Sequence, residues 1–112
     1  MKILRSKCCD ISQEVKKKVF ERDGGRCVIC GNSYNVMPNA HILSRAKGGL
    51  GVEENIITLC TLMTPNQCHH RFDNGTKKEH EKMLKIITRY MKSIYGEEWN
   101  IENQKYKKWS DK

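Results

Sequence analysis

Residues 39–60 read NAHILSRAKGGLGVEENIITLC, and the fold turns on this stretch. It sets a histidine, His41, among apolar residues, runs through a glycine-rich segment to Asn55, and closes on a β-branched run ending at Cys60. Short β-branched runs bounded by turn residues favour strands. The stretch therefore predicts a hairpin, with a strand over 36–43, a loop over 44–55 and a returning strand over 56–60. Pro38 has no NH to donate, so it places the first strand at an edge or breaks it. An isolated histidine on a strand is most often a core residue. Only its companions make His41 a candidate base.

On the N-terminal side, DISQEVKKKVFERDGG (10–25) predicts a helix. Asp10 or Ser12 caps it, Val15, Val19 and Phe20 form its apolar stripe, and Gly24-Gly25 ends it. On the C-terminal side, TLMTPNQ (61–67) predicts a loop and CHHRFDNG (68–75) one or two helical turns stopped by Gly75. The segment 76–96 predicts the longest helix, with Thr76 and Glu79 as a capping box and Gly96 at its end. Met83, Leu84, Ile87, Tyr90, Met91 and Ile94 follow helical spacing and are expected to pack, while His80 is expected to face solvent. Trp99, Ile101, Tyr106 and Trp109 are expected to fold back on the helices, with a loosely ordered end as the alternative.

The chain has 112 residues, of which 38% are hydrophobic. So little apolar material suits one small α+β domain that needs a staple, a metal or disulfides. Six cysteines offer either. No apolar run has signal-peptide or membrane-spanning length, so a reducing, cytoplasmic compartment without membrane association is expected, and the cysteines read first as metal ligands. Cys27 and Cys30 have the spacing by which two thiolates grip one tetrahedral ion, and Cys60 and Cys68 supply a second pair across the 61–67 loop. Four thiolates on Zn²⁺ carry a formal −2 charge, which Arg26 and Arg71 offset. The rival reading draws one ligand from Cys8-Cys9, otherwise ordinary unligated thiols.

Net charge is +8. Residues 1–26 hold eight Lys/Arg against four Asp/Glu, residues 27–75 three against three, and residues 76–112 ten against six. Basic flanks around a neutral centre suit a polyanion. A solubilising surface accounts for the charge equally well.

Taken in order, Cys-x-x-Cys, Ala40-His41-Ile42, the glycine loop with Asn55, and Leu59-Cys60 followed by Cys68-His69-His70 resemble the HNH endonucleases, especially the small zinc-stabilised proteins of bacteriophages and bacteria. The resemblance covers about residues 15–75, leaving a basic helix and tail over 76–112, within a single domain spanning 1–112. It implies a ββα-metal (His-Me finger) core stapled by zinc and flanked by an N-terminal and a long C-terminal helix. By the same resemblance, His41 is the general base that activates water, Asn55 holds the loop that aims it, and His69 binds one divalent cation, Mg²⁺, Mn²⁺ or another. It also implies a DNA substrate, products with 5′ phosphate and 3′ hydroxyl ends, and, by analogy with phage proteins, partners near genome packaging.

One position departs from the pattern. Many family members carry a second metal ligand immediately before the base, where this chain has Ala40. Asp73, four residues after His69, is the candidate replacement, with a helix-capping role as its alternative and Asn39 as a weaker ligand. Adjacent helical residues point about 100° apart, so His70 is not expected to share the ion with His69. Arg45, Lys47 and Arg71 are candidate phosphate contacts. Two other function classes fit the same sequence: a non-catalytic, zinc-stabilised nucleic-acid-binding module, and a zinc-dependent scaffold for protein partners.

Overall fold

Ser12, rather than Asp10, starts the first helix. Its hydroxyl accepts the Val15 NH at 3.1 Å, and helix α1 runs Gln13–Arg22. A computed structural model of the chain describes residues 9–105. Cys8, Tyr106 and Trp109 lie outside the described residues. Strands β1 (Val36–His41) and β2 (Ile56–Cys60) follow, then helices α2 (Cys68–Asn74) and α3 (Lys77–Tyr95), with single helical turns at Arg45–Lys47, Glu53–Asn55 and Ile101–Gln104.

The two strands pair antiparallel, with Val36 opposite Cys60 and His41 opposite Ile56. The register shifts between Met37 and Ala40, where Pro38 has no NH for the ladder and Pro38 and Asn39 together stand opposite Thr58. The strand ends at His41, two residues earlier than the sequence suggested, because the Ile42 NH turns to the Asn55 carbonyl at 2.8 Å.

A two-stranded hairpin is marginal alone, and here every residue of β2 is buried. One face of the sheet contributes Ala40, Ile57 and Leu59 to a core shared with Phe72, Met83, Ile87, Met91 and Trp99. The outer edge of β2 is covered by charged side chains. The Arg22 guanidinium donates to the carbonyls of Ile56 (2.7 Å) and Glu53 (2.6 Å), and the Asp23 carboxylate accepts the Thr58 NH at 2.9 Å. Arg22 and Asp23 also pair with each other at 2.8 Å, and the Tyr90 hydroxyl donates to Asp23. Burial opposes the charge on Arg22, yet its bonds to Asp23 and Tyr95 outweigh burial and hold its pKa above the ordinary value. This network, with the Val28 NH donating to the Thr58 carbonyl at 2.9 Å, keeps the edge from pairing elsewhere.

Three sequence expectations need correction. Phe20 does not join the α1 stripe; it is 43% exposed and lies against Gly25, while Val19 alone is fully buried. His80 does not face solvent, since its ring stacks on Phe72 at 4.3 Å and its Nδ1 lies 2.8 Å from the Phe72 carbonyl. Ile94, expected to pack, is 40% exposed. The Thr76 hydroxyl does accept the Glu79 NH at 3.1 Å, but the Glu79 carboxylate bonds Arg71 instead. Trp99 folds back as expected, buried with its Nε1 donating to the Glu54 carbonyl at 2.9 Å.

Candidate functional site

The hairpin register sets two clusters of chemically active side chains at opposite ends of the sheet. At the Cys60 end, the sulfurs of Cys27, Cys30, Cys60 and Cys68 all lie within 4.8 Å of one another. None is in a disulfide. Four thiolates about 2.3 Å from a tetrahedral ion stand about 3.8 Å apart, and Cys30 and Cys60 are separated by 3.8 Å. The four cysteines are close enough to hold a metal ion such as zinc, and Cys9 lies outside their group.

Backbone geometry prepares this cluster. The Cys30 NH points at Cys27 Sγ (3.5 Å) and the Cys68 NH at Cys60 Sγ (3.2 Å), as donors to thiolates should. Gln67 adopts a left-handed conformation, φ 43°, and so turns Cys68 back toward β2. Burial pushes up the Cys27 and Cys68 thiols. Burial acts the same way on Cys30, but bonds from the Asn32 backbone, Asn66 and the neighbouring cysteines outweigh it and bring this exposed thiol down to about 7. Thiols crowded this closely resist ionising together unless a cation compensates them. Arg71 lies near enough to Cys60 and Cys68 to feel their charge, and donates to the Asn66 carbonyl at 3.2 Å. Arg26 donates to the Gly31 carbonyl at 3.1 Å.

At the other end, Asn55 is fully buried and closes the glycine loop with three bonds. Its Oδ1 accepts the Leu43 NH at 2.9 Å, and its Nδ2 donates to the carbonyls of Leu43 (3.2 Å) and Leu50 (2.8 Å). Two glycines are dictated by close approach: a Cβ on Gly49 would sit 1.7 Å from the Leu43 carbonyl oxygen, and one on Gly51 2.0 Å from that of Asp10. The Leu50 NH donates to the Gln104 carbonyl at 2.9 Å, so segments from both ends of the described chain clamp this loop.

His41 is half-buried, with Nε2 2.9 Å from the Cys9 carbonyl. A carbonyl can only accept, so Nε2 carries the proton and the neutral ring keeps its lone pair on Nδ1. Burial, helped by Arg45 and His69, lowers the pKa of His41, while the Cys9 carbonyl and Asp73 oppose them and do not prevail. Across the site, His69 Nε2 and Asp73 Oδ2 are 3.1 Å apart on one face of α2. Neighbouring ligands about 2.1 Å from an octahedral cation stand about 3.0 Å apart, so the pair suits two adjacent coordination positions as well as a direct ion pair. His70 is exposed and turned toward Asn74.

The candidate phosphate contacts divide. Arg45 pairs with Asp10 at 2.7 Å and donates to the Cys9 carbonyl at 3.2 Å, so it ties the N-terminal segment beside His41. Lys47 is exposed on the loop. Arg71 is engaged by Glu79 at 3.0 Å and belongs to the sulfur end. Sequence reasoning missed the Cys9 carbonyl on His41 and the Arg22–Asp23 edge cover. Both are contacts across more than thirty residues and carry no local signal.

No family model matches this chain, and neither a curated protein nor a solved structure matches it. No helix among the described residues is long and apolar enough to cross a membrane.

Proposed function

We propose that this chain is a metal-dependent DNA endonuclease or nickase of the HNH type, with Cys27, Cys30, Cys60 and Cys68 holding a structural zinc ion. The observation that carries the proposal is a half-buried histidine whose Nε2 is bonded to a backbone carbonyl, within electrostatic reach of His69 and Asp73 on the following helix. The β1–β2–α2 succession and the closure of the loop by Asn55 support the same assignment.

In this mechanism Nδ1 of His41 takes a proton from the attacking water, because Nε2 is committed to the Cys9 carbonyl. The lowered pKa keeps that lone pair available at neutral pH. Asn55 fixes the loop joining β1 to β2, and with it the bearing of the strand end that carries His41. His69 and Asp73 would hold one divalent cation, which when bound stabilises the charge developing on the phosphate and the departing 3′ oxygen. Arg45 and Lys47 lie on the loop beside the base and meet the flanking phosphates, Arg45 after exchanging Asp10 for substrate.

A second reading, a non-catalytic nucleic-acid-binding module, is favoured by Ala40, a fully buried methyl at the position before the base. Plasmid nicking with Mg²⁺ or Mn²⁺ separates the two. Wild type should nick, and His41→Ala should retain folding and DNA binding but lose nicking. Wild-type cutting rates in that variant would sink the proposal.

A further inference from the structure

The solvent face of α3 carries a line of cations with no part in the chemistry above. Lys78, Lys82, Lys85, Arg89 and Lys92 recur at intervals of four, three, four and three residues. At about 3.6 residues per turn, that spacing keeps them in one narrow stripe. Met83, Ile87 and Met91, the residues α3 buries, lie on the opposite side of the helix. Core packing therefore fixes the rotation of the helix and points the stripe outward.

A solvated helix face ordinarily interleaves signs, with acids four residues from bases. Along α3 the only acids are Glu79, engaged by Arg71, and Glu81, which stands four residues before Lys85 without an ion pair to it. No acid of the described residues ion-pairs with any of the five, whereas Lys18, Arg22, Arg45 and Arg71 each have an acidic partner. Lys78/Lys82 and Lys85/Arg89 are like charges at a repulsive spacing, which a polyanion would relieve. Lys85, Arg89 and Lys92, with Thr88 and Glu97, also line a shallow depression of about 370 Å³. From Lys78 to Lys92 the stripe runs about 21 Å at about 1.5 Å per residue. The same length of duplex axis presents about six phosphates on each strand.

We infer that this stripe is a phosphate-tracking surface that grips duplex DNA by its backbone, separately from the His41 site. The choice of duplex DNA among polyanions rests on the nuclease proposal.

The test is fluorescence anisotropy of a labelled random-sequence duplex with the full, zinc-loaded chain over a salt series. A triple variant Lys82→Gln, Lys85→Gln, Arg89→Gln should weaken binding at least tenfold at low salt. It should also flatten the plot of log affinity against log salt by roughly 2.7, at about 0.9 per lost phosphate contact. Glutamine is a good helix former, so the unfolding midpoint should hold. The triple Lys16→Gln, Lys17→Gln, Lys18→Gln on α1 removes the same charge and should leave the slope nearly unchanged. Equal effects of the two triples would overturn the inference, as would a stripe variant that loses polyglutamate binding while duplex binding is intact. An unchanged slope with nicking preserved sinks the stripe alone. Stripe-dependent duplex binding without any nicking supports the stripe and sinks the nuclease proposal alone.

Discussion

The two ends of the hairpin hold their active groups by different physics. At the Cys60 end, four sulfurs converge where a single ion can cross-link the Cys27–Cys30 turn to the end of β2 and the start of α2. At the His41 end, alignment comes from several separate hydrogen bonds: three at Asn55, one between His41 and the Cys9 carbonyl, and the Arg45 contacts to Asp10 and that carbonyl. A metal cross-link is strong and all-or-none, whereas an amide network is graded and can be weakened one bond at a time. The ends should therefore fail differently when challenged.

The largest effect should come from the sulfur end. Structural zinc contributes about 10–16 kcal/mol in small domains, as much as the whole stability of a typical domain, about 5–15 kcal/mol. Chelation with a strong zinc ligand, or Cys60→Ser, should abolish cooperative unfolding, measured by circular dichroism with metal content assayed in parallel. Nicking should vanish with the fold. A metal-free chain that still unfolds cooperatively near the wild-type midpoint would erase the contrast between the two ends.

Removing the imidazole should spare the fold and strike the chemistry. His41→Ala is expected to slow nicking by about 10²–10⁴-fold, while the half-buried site limits its effect on thermal unfolding. A variant that instead unfolds as readily as the chelated protein would show His41 to be a core residue, the alternative the sequence left open.

Asn55→Ala tests the graded network. It strands the Leu43 NH and the carbonyls of Leu43 and Leu50. Buried unpaired groups cost about 1–3 kcal/mol each; with water relieving some of them, a loss of about 2–4 kcal/mol is expected. At about 4–8 °C per kcal/mol for a domain of this size, calorimetry should read a fall of at least about 8 °C. Asn55→Asp keeps the acceptor for the Leu43 NH but loses both donations, so it should not restore the midpoint.

This contrast also explains what the sequence could reveal. The sulfur end was legible because Cys27-x-x-Cys30 is a local signature and the hairpin pattern returned Cys60 and Cys68 to it. Helix limits were legible for a similar reason. Ser12, Thr76 and Gly96 act within a turn of the chain they cap. Asp73 was legible as a neighbour of His69 because four residues make one helical turn. The misses all depend on tertiary contact. Periodicity puts Phe20 in the apolar stripe, but α1 packs through Val19. Nothing local to His80 signals that Phe72 lies beneath its ring. Arg22 and Asp23 cover the outer edge of β2, and no spacing rule anticipates that.

The smallest expected effect is a pH dependence, and its sign separates the ends again. Burial lowers the pKa of His41 below its ordinary value near 6.5. Between the folded pKa and that value, the unfolded chain binds more protons than the folded one. The contribution of His41 to stability is therefore complete above about pH 6.5 and is lost as pH falls through the folded value. The acid limb of the nicking profile should accordingly lie below pH 6.5, and His41→Gln should remove that part of the stability profile. An ion held at the sulfur end would be released in acid as the thiolates protonate, which the metal content of the protein would report. An acid limb that tracks metal release and survives in the stability profile of His41→Gln would assign it to the cysteines, leaving the histidine end without a titration of its own.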